Sequence, residues 1–245
     1  HFKLVSANEV LISQGVVQDG TIQDQEALAN IIKGALATVK GAKLDTKYVI
    51  ACLPEEKSFT QVIQMPKMSE EELQRSVPFE AENYIPLTID KVYLDFQMIH
   101  PHDEKDAKDH LDLLINVMPR PIVDSYVAVF KKAGLIPAIL EVESQALIRA
   151  LLKKEQNNPS ILFIDLGGNS TTFIIYSENS VRFTASVPIS SLQLTQAIAD
   201  SGVGFEEAEA LKIKYGLEEG GDSSVAHLIA PIINALAQQI RRYMT

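Results

Sequence analysis

The stretch Ile164-Asp165-Leu166-Gly167-Gly168-Asn169-Ser170-Thr171-Thr172-Phe173-Ile174 narrows the possible folds more than any other part of the chain. An apolar strand runs into a turn with two successive glycines, and a second strand, Thr171 to Tyr176, leaves it. Glycines at such a turn allow positive φ and let backbone amides approach an anion closely. Asn169, Ser170 and Thr171 add side-chain donors suited to phosphate oxygens. Asp165, at the strand end, can hold Mg2+ through water, because that ion keeps several of its waters. The same residues also make an ordinary β-hairpin, in which Gly-Asn is a common turn pair, and alone they leave both readings open. A Walker loop is excluded because no Gly-Lys-Ser/Thr follows. A dinucleotide fingerprint is excluded because the turn opens a strand rather than a helix.

The rest of the chain can supply a core for these strands. Its 245 residues are 46% apolar and 22% charged, close to the average for soluble globular proteins. A net charge of −10 disfavours binding to nucleic-acid backbones and to anionic lipid. The single cysteine, Cys52, excludes a disulfide within the chain; between Ala51 and Leu53 it reads as a small buried residue in a reducing compartment. No apolar run reaches the ~20 residues that span a bilayer. The first residue is His1 rather than methionine, so the true start is expected upstream.

Along the chain, Asp24 is placed to cap a helix whose apolar positions, Leu28, Ile31, Ile32 and Ala35 among them, follow the 3.6 period. Tyr48 to Leu53 is a continuous apolar run, the mark of a strand buried on both faces. Ser69 and Glu72 form a capping box for a helix stressed near Pro78. Val92, Leu94, Phe96 and Met98 alternate as in a half-exposed strand. Pro121 opens a helix that closes at Gly134, and Ser144 is expected to cap the next. His100, His102 and His110 sit in an Asp/Lys-rich stretch and read as solvated rather than as metal ligands. Asn157-Asn158-Pro159 reads as a linker, with three strands and three helices beyond it.

Asp165-Leu166-Gly167-Gly168, with Asn169-Ser170-Thr171 and the strands after it, resembles the second phosphate-binding loop of the actin, Hsp70-chaperone and sugar-kinase superfamily. Val181 to Ile189 is similar to the hairpin that follows in FtsA and PilM proteins. Ala208-Glu209-Ala210-Leu211-Lys212, with Gly216 beyond, resembles the helix that contacts adenosine in FtsA, MreB and PilM. That resemblance implies that Glu209 and Lys212 lie beside the ribose and base. Three apart, they share a helix face, although such a pair on its own most often forms a solvated surface. Met65-Pro66-Lys67-Met68-Ser69-Glu70-Glu71-Glu72-Leu73, Phe79 to Leu87, Asp90 to Gln97 and Leu140 to Ser144 resemble the PilM family in particular, so the likeness covers nearly the whole chain.

The resemblance implies an α/β, actin-like (ribonuclease H-like) fold of two lobes with a small α+β subdomain inserted in the first. The first lobe would take residues 1–47 and 135–156, the insert 48–134 and the second lobe 157–245. A first phosphate loop is expected upstream of His1, and a Gly-Gly adenine segment beyond Thr245. The implied ligands are ATP and Mg2+, held by Asp165, Gly167, Gly168, Asn169, Ser170, Thr171, Glu209 and Lys212, with Asp165 serving the metal. Glu143, ahead of Glu141, is the nearest match to the residue that orients a hydrolytic water, and turnover is expected to be slow at most. The family implies a cytoplasmic scaffold of the type IV pilus machine, peripheral to the inner membrane. Its partner would be the N-terminal cytoplasmic tail of a PilN-like membrane protein, docked as an extended peptide by apolar anchors. Self-assembly into a homo-oligomer is open, while nucleic-acid binding and direct membrane insertion are not expected. Two other readings remain: an FtsA-like polymerising division protein, and a small-molecule kinase of the same superfamily.

Overall fold

The computed structural model describes residues 3–99, 109–152, 160–217 and 223–244. His100, His102, the Asn157–Pro159 linker and the lobe boundary at residue 157 lie outside them. The chain forms two compact units, His1–Ser160 with Tyr176–Phe183, and Ile161–Ile175 with Thr184–Thr245.

The first unit opens with short antiparallel pairs. β1 (Ser6–Ala7) pairs with β4 (Lys40–Gly41), and β2 (Val17–Gln18) with β3 (Thr21–Ile22). Asp19 and Gly20, both at positive φ, turn β2 into β3. Between β3 and β4 lies α1 (Gln25–Ala37), started by the Asp24 carboxylate, which accepts from the amides of Glu26 and Ala27 at 3.0 and 2.9 Å. Leu28 and Ala29 of α1 share a core with Val129 and Ala133.

β5 (Tyr48–Leu53) lies parallel to β9 (Ile136–Val142), and a separate three-stranded sheet follows it in the chain. That sheet is antiparallel, in the order β6 (Phe59–Pro66), β8 (His110–Pro119), β7 (Val92–Ile99). α2 (Glu70–Ala81) contributes Leu73, Val77 and Ala81 to a core with Ile63, Leu113 and Ile115. Burying each such aliphatic side chain contributes about 1.5–3 kcal/mol. The Ser69–Glu72 capping box starts α2, which runs through Pro78. α3 (Arg120–Lys132) carries proline in its first turn and is followed by Gly134 at positive φ.

Three expectations fail in this unit. The apolar run of β5 is covered on one face only: Tyr48 is 67% and Ile50 60% exposed, and Cys52 is exposed rather than buried. Among the described residues β5 pairs with β9 alone. Its covered end, Leu53, packs with Met118, Val142 and the side chains of Ile122 and Val123 on α3. Ser144 does not cap a helix either. α4 (Glu143–Leu151) begins one residue earlier, and the Ser144 amide donates at 3.0 Å to Glu55 Oε2, a carboxylate only 4% exposed.

In the second half of the chain, β10 (Ile161–Leu166), β11 (Thr171–Ser177) and β12 (Ser180–Val187) form one sheet in chain order. Phe173 and Ile174 are completely buried in it. α5 (Ser191–Ala199), α6 (Phe205–Tyr215) and α7 (Ser223–Met244) pack together through Leu194, Ile198, Ala208, Val225 and Ile229. The apolar stripe of α7, with Ile232 and Ile233, packs on that core. Among the described residues no helix is long and apolar enough to cross a membrane.

Candidate functional site

The turn between β10 and β11 is tied down at both ends. The Gly167 amide donates to Ser170 O at 2.9 Å. The amides of Ser191 and Leu192, which open α5, donate to the carbonyls of Gly167 and Gly168 at 2.9 and 3.2 Å. The reason for glycine is not positive φ, which neither residue adopts. At Gly167 it is space, because a Cβ there would lie 2.9 Å from Ser170 O. At Gly168 the nearest atom, Leu192 Cδ1, would be 3.9 Å away, so packing leaves that position open.

The side chains of the turn divide in two. Asp165 and Asn169 are exposed, and their side chains have no hydrogen bond among the described residues. An exposed carboxylate beside an amide-lined turn suits Mg2+, a hard cation that takes one or two carboxylates together with phosphate oxygens and water. Among the described residues no three acidic, histidine or cysteine side chains gather into a metal cage. Ser170 is half-buried. Thr171 is fully buried and its hydroxyl donates to Ile189 O at 2.6 Å, so it ties β11 to the segment before α5.

Glu209 and Lys212 are not a solvated helix face. Lys212 Nζ donates to Ser191 Oγ at 2.8 Å, to Thr195 Oγ1 at 2.8 Å and to Ser191 O at 3.2 Å. It also pairs with Glu209 Oε2 at 2.7 Å, and its side chain is only 13% exposed. The Thr195 hydroxyl donates to the same Glu209 oxygen. Lys212 and Thr195 together hold the Glu209 carboxyl below its ordinary range. Bonds therefore run without a break from Gly167 through Ser191 to Lys212 and Glu209.

Glu143 belongs to the first unit, at the start of α4. Its Oε2 accepts from the Glu55 amide at 3.4 Å while the Glu55 carboxylate accepts from the Ser144 amide, so Glu143 braces the backbone of Glu55 and Glu55 that of Ser144. Glu55 was not singled out in the sequence; within Pro54-Glu55-Glu56-Lys57 it reads as part of a charged turn. Glu141 is engaged by the guanidinium of Arg149 through two hydrogen bonds. Although Cys52 is exposed at the surface, partial desolvation of its thiol, then the charges of Glu141 and Glu143, push that thiol up. His110, expected to be solvated, lies 3.3 Å from the buried Asp112 carboxylate, which also faces Arg182 at 3.8 Å.

The first unit also holds an open cavity of about 330 Å3. One wall is Tyr93–Gln97 of β7 and Asn116–Met118 of β8; the other is Leu53, Leu140–Val142 and the α4 side chains Gln145 and Arg149.

This architecture is that of the actin-like proteins. The structure is similar to the ethanolamine utilization protein EutJ from Carboxydothermus hydrogenoformans, with a TM-score of 0.53 and 18% identity over 94% of this chain and 59% of that one. It is also similar to MreB 5 of Spiroplasma citri bound to AMPPNP, with a TM-score of 0.53 and 15% identity over 92% of this chain and 59% of that one. Within that class, the chain belongs to the family of the type IV pilus assembly protein PilM, whose sequence profile matches residues 1–245. A solved PilM-PilN type IV pilus biogenesis complex is similar at a TM-score of 0.80 and 27% identity, over 95% of this chain and 67% of that one. The cell division protein FtsA of Bacillus subtilis (strain 168) is 25% identical over 182 residues, 70% of this chain. That alignment spans 39% of the FtsA sequence; one with FtsA of Helicobacter pylori (strain ATCC 700392 / 26695), at 33% identity, spans 34% of this chain and 18% of that protein.

Proposed function

We propose that this chain is the nucleotide-binding scaffold of a type IV pilus assembly machine and that it holds the cytoplasmic tail of a PilN-like inner-membrane protein. The observation that carries the nucleotide reading is the unbroken bonding from the Gly167–Gly168 turn through Ser191 to Lys212 and Glu209. It joins the glycine turn, whose amides and Ser170 hydroxyl would suit phosphate, to a carboxylate that would suit ribose hydroxyls. The amides around Gly168 and Asn169, with the side chains of Asn169 and Ser170, would hold the phosphates of ATP. Asp165 would hold Mg2+ through water. Thr171 supports the turn from inside the fold. Lys212, already neutralised in part by Glu209, would lie beside the base rather than act as a free phosphate clamp.

Membership of the PilM family and likeness to a PilM-PilN complex support the partner. The cavity beside β7 gives an extended tail a place to lie, with Leu53, Leu140 and Val142 as apolar seats. The protein would thus sit in the cytoplasm and meet the inner membrane through its partner. Glu143 remains the candidate for orienting water, and its bond from the Glu55 amide fits a structural role at least as well. Turnover is accordingly slow at most. The test is calorimetry of MgATP binding to the full-length protein and to Lys212→Met. Saturable one-site binding that the substitution weakens supports the reading, and no binding by the intact protein refutes it.

A further inference from the structure

The turn between β11 and β12 is not an ordinary hairpin tip. Glu178 and Asn179, the two residues that make it, both lie at positive φ, at 49° and 59°. The hairpin twist favours that conformation, but a glutamate adopts it only under strain. Arg182 holds the turn closed: its Nε donates to Ser177 O at 3.1 Å, and its guanidinium pairs with the Glu178 carboxylate. Hairpin tips usually lie in solvent, yet Ser180 and Val181 just behind this one are buried. Tyr176–Phe183 clusters with the first unit, although the remainder of both strands belongs to the second. Within the first unit, Arg182 Nη1 forms an ion pair at 3.8 Å with the Asp112 carboxylate on β8. The two side chains are 19% and 7% exposed, so salt screens the pair little and removing one partner leaves the other charge poorly compensated.

The other end of the same hairpin is rooted in the glycine turn. β11 leaves that turn at Thr171, whose hydroxyl donates to Ile189 O just past the end of β12. Ser191, two residues on, donates its amide to Gly167 O. The hydroxyls of Thr172 and Ser186 bond across the two strands at 3.1 Å. The seven residues of β11 carry the hairpin on the order of 20 Å from root to tip. From these two ends we propose that the β11–β12 hairpin is a lever: a nucleotide seated on the Gly167–Gly168 turn shifts or stiffens its root, and Arg182 passes that change to β8 through Asp112. A hydrogen-bonded strand pair is the kind of rigid element that carries coupling between distant places. The inference rests on the nucleotide reading above and adds the route of its regulation. Arg182 is in it a positioning residue that touches no ligand.

The test is residue-resolved amide exchange of the full-length protein with and without saturating MgATP, beside calorimetry of MgATP on the same samples. In the parent, nucleotide should change exchange about fivefold or more at Leu111 to Leu114, around Asp112. Arg182→Gln should abolish that change and keep ATP affinity within about twofold of the parent, and Arg182→Lys, which keeps the charge, should retain the change. The double variant Asp112→Asn, Arg182→Gln removes both charges together, so it is the variant to use if Arg182→Gln alone does not fold; it too should bind ATP without a response at β8. A response at β8 that survives in the double variant, or ATP binding to the parent with β8 unchanged, overturns the lever and leaves nucleotide binding intact. An ATP affinity that falls about tenfold in Arg182→Gln puts Arg182 in the binding site itself and likewise overturns the lever. No MgATP binding by the parent overturns the nucleotide reading, and the lever with it.

Discussion

The ammonium of Lys212 lies 2.8 Å from Ser191 Oγ, and the amide of that same serine donates at 2.9 Å to the carbonyl of Gly167. A residue on α6 and a residue in the β10–β11 turn thus share one intermediary at the start of α5.

Lys212→Met keeps the aliphatic stem and removes the charge. It leaves Glu209 Oε2, Ser191 and Thr195 without their shared donor in a region where Lys212 itself is 13% exposed. Unfolding should become easier by about 1–3 kcal/mol, the range for stranding partly buried polar groups. ATP affinity should fall about tenfold or more, by calorimetry on the same samples. A variant that loses stability and keeps full affinity would make the network structural only.

Gly167→Ala and Gly168→Ala should behave differently. The first places a Cβ 2.9 Å from Ser170 O, so the turn must open, and the cost is expected at about 1–3 kcal/mol in chemical denaturation. The second meets nothing closer than 3.9 Å and should leave stability within about 0.5 kcal/mol of the parent. If amides there meet phosphate directly, Gly168→Ala still weakens ATP binding, and that split between folding and binding is the informative result.

Tyr126 donates its hydroxyl to Gly20 O at 3.0 Å, and burial, then Glu143 and Glu56, push its pKa up to about 12 from the ordinary 10.0. The folded value lies above the unfolded one, so the neutral phenol favours the fold below the unfolded pKa. That contribution drains away as pH rises from about 10 through about 12. Denaturation midpoints across this window should fall for the parent and flatten for Tyr126→Phe.

Glu209 has the opposite sign. Lys212 and Thr195 hold its carboxyl below the usual range, so its contribution is present above the unfolded pKa and is lost as pH falls through the lower folded value. Acid titration of the parent against Glu209→Gln should show a stability difference that is constant near neutrality and closes on the acid side.

Much of the local structure was legible because its signals are local. Asp24 and the Ser69–Glu72 box mark helix starts within three residues of themselves, and the Val92–Ile99 alternation matches β7. The strands flanking the glycine turn also lie where the sequence placed them. What was not legible depends on distant residues. A continuous apolar run such as Tyr48–Leu53 looks the same whether one or two faces are covered, so the exposure of Ile50 and Cys52 could not be read. Glu55 caps Ser144 across 89 positions. The hydroxyls around Lys212 come from Ser191 and Thr195, 21 and 17 positions away, so the sequence offered only a Glu/Lys pair that most often lies in solvent.

A scaffold whose partner affinity responds to nucleotide must bind ATP unequally in two states, because a ligand without differential affinity shifts nothing. The direct measurement is calorimetry of the partner-tail peptide into full-length protein, with and without saturating MgATP. A tail affinity that changes about fivefold or more with nucleotide, and no longer changes in Lys212→Met, is expected. Equal tail affinity in both conditions, with ATP shown to be bound, would contradict it.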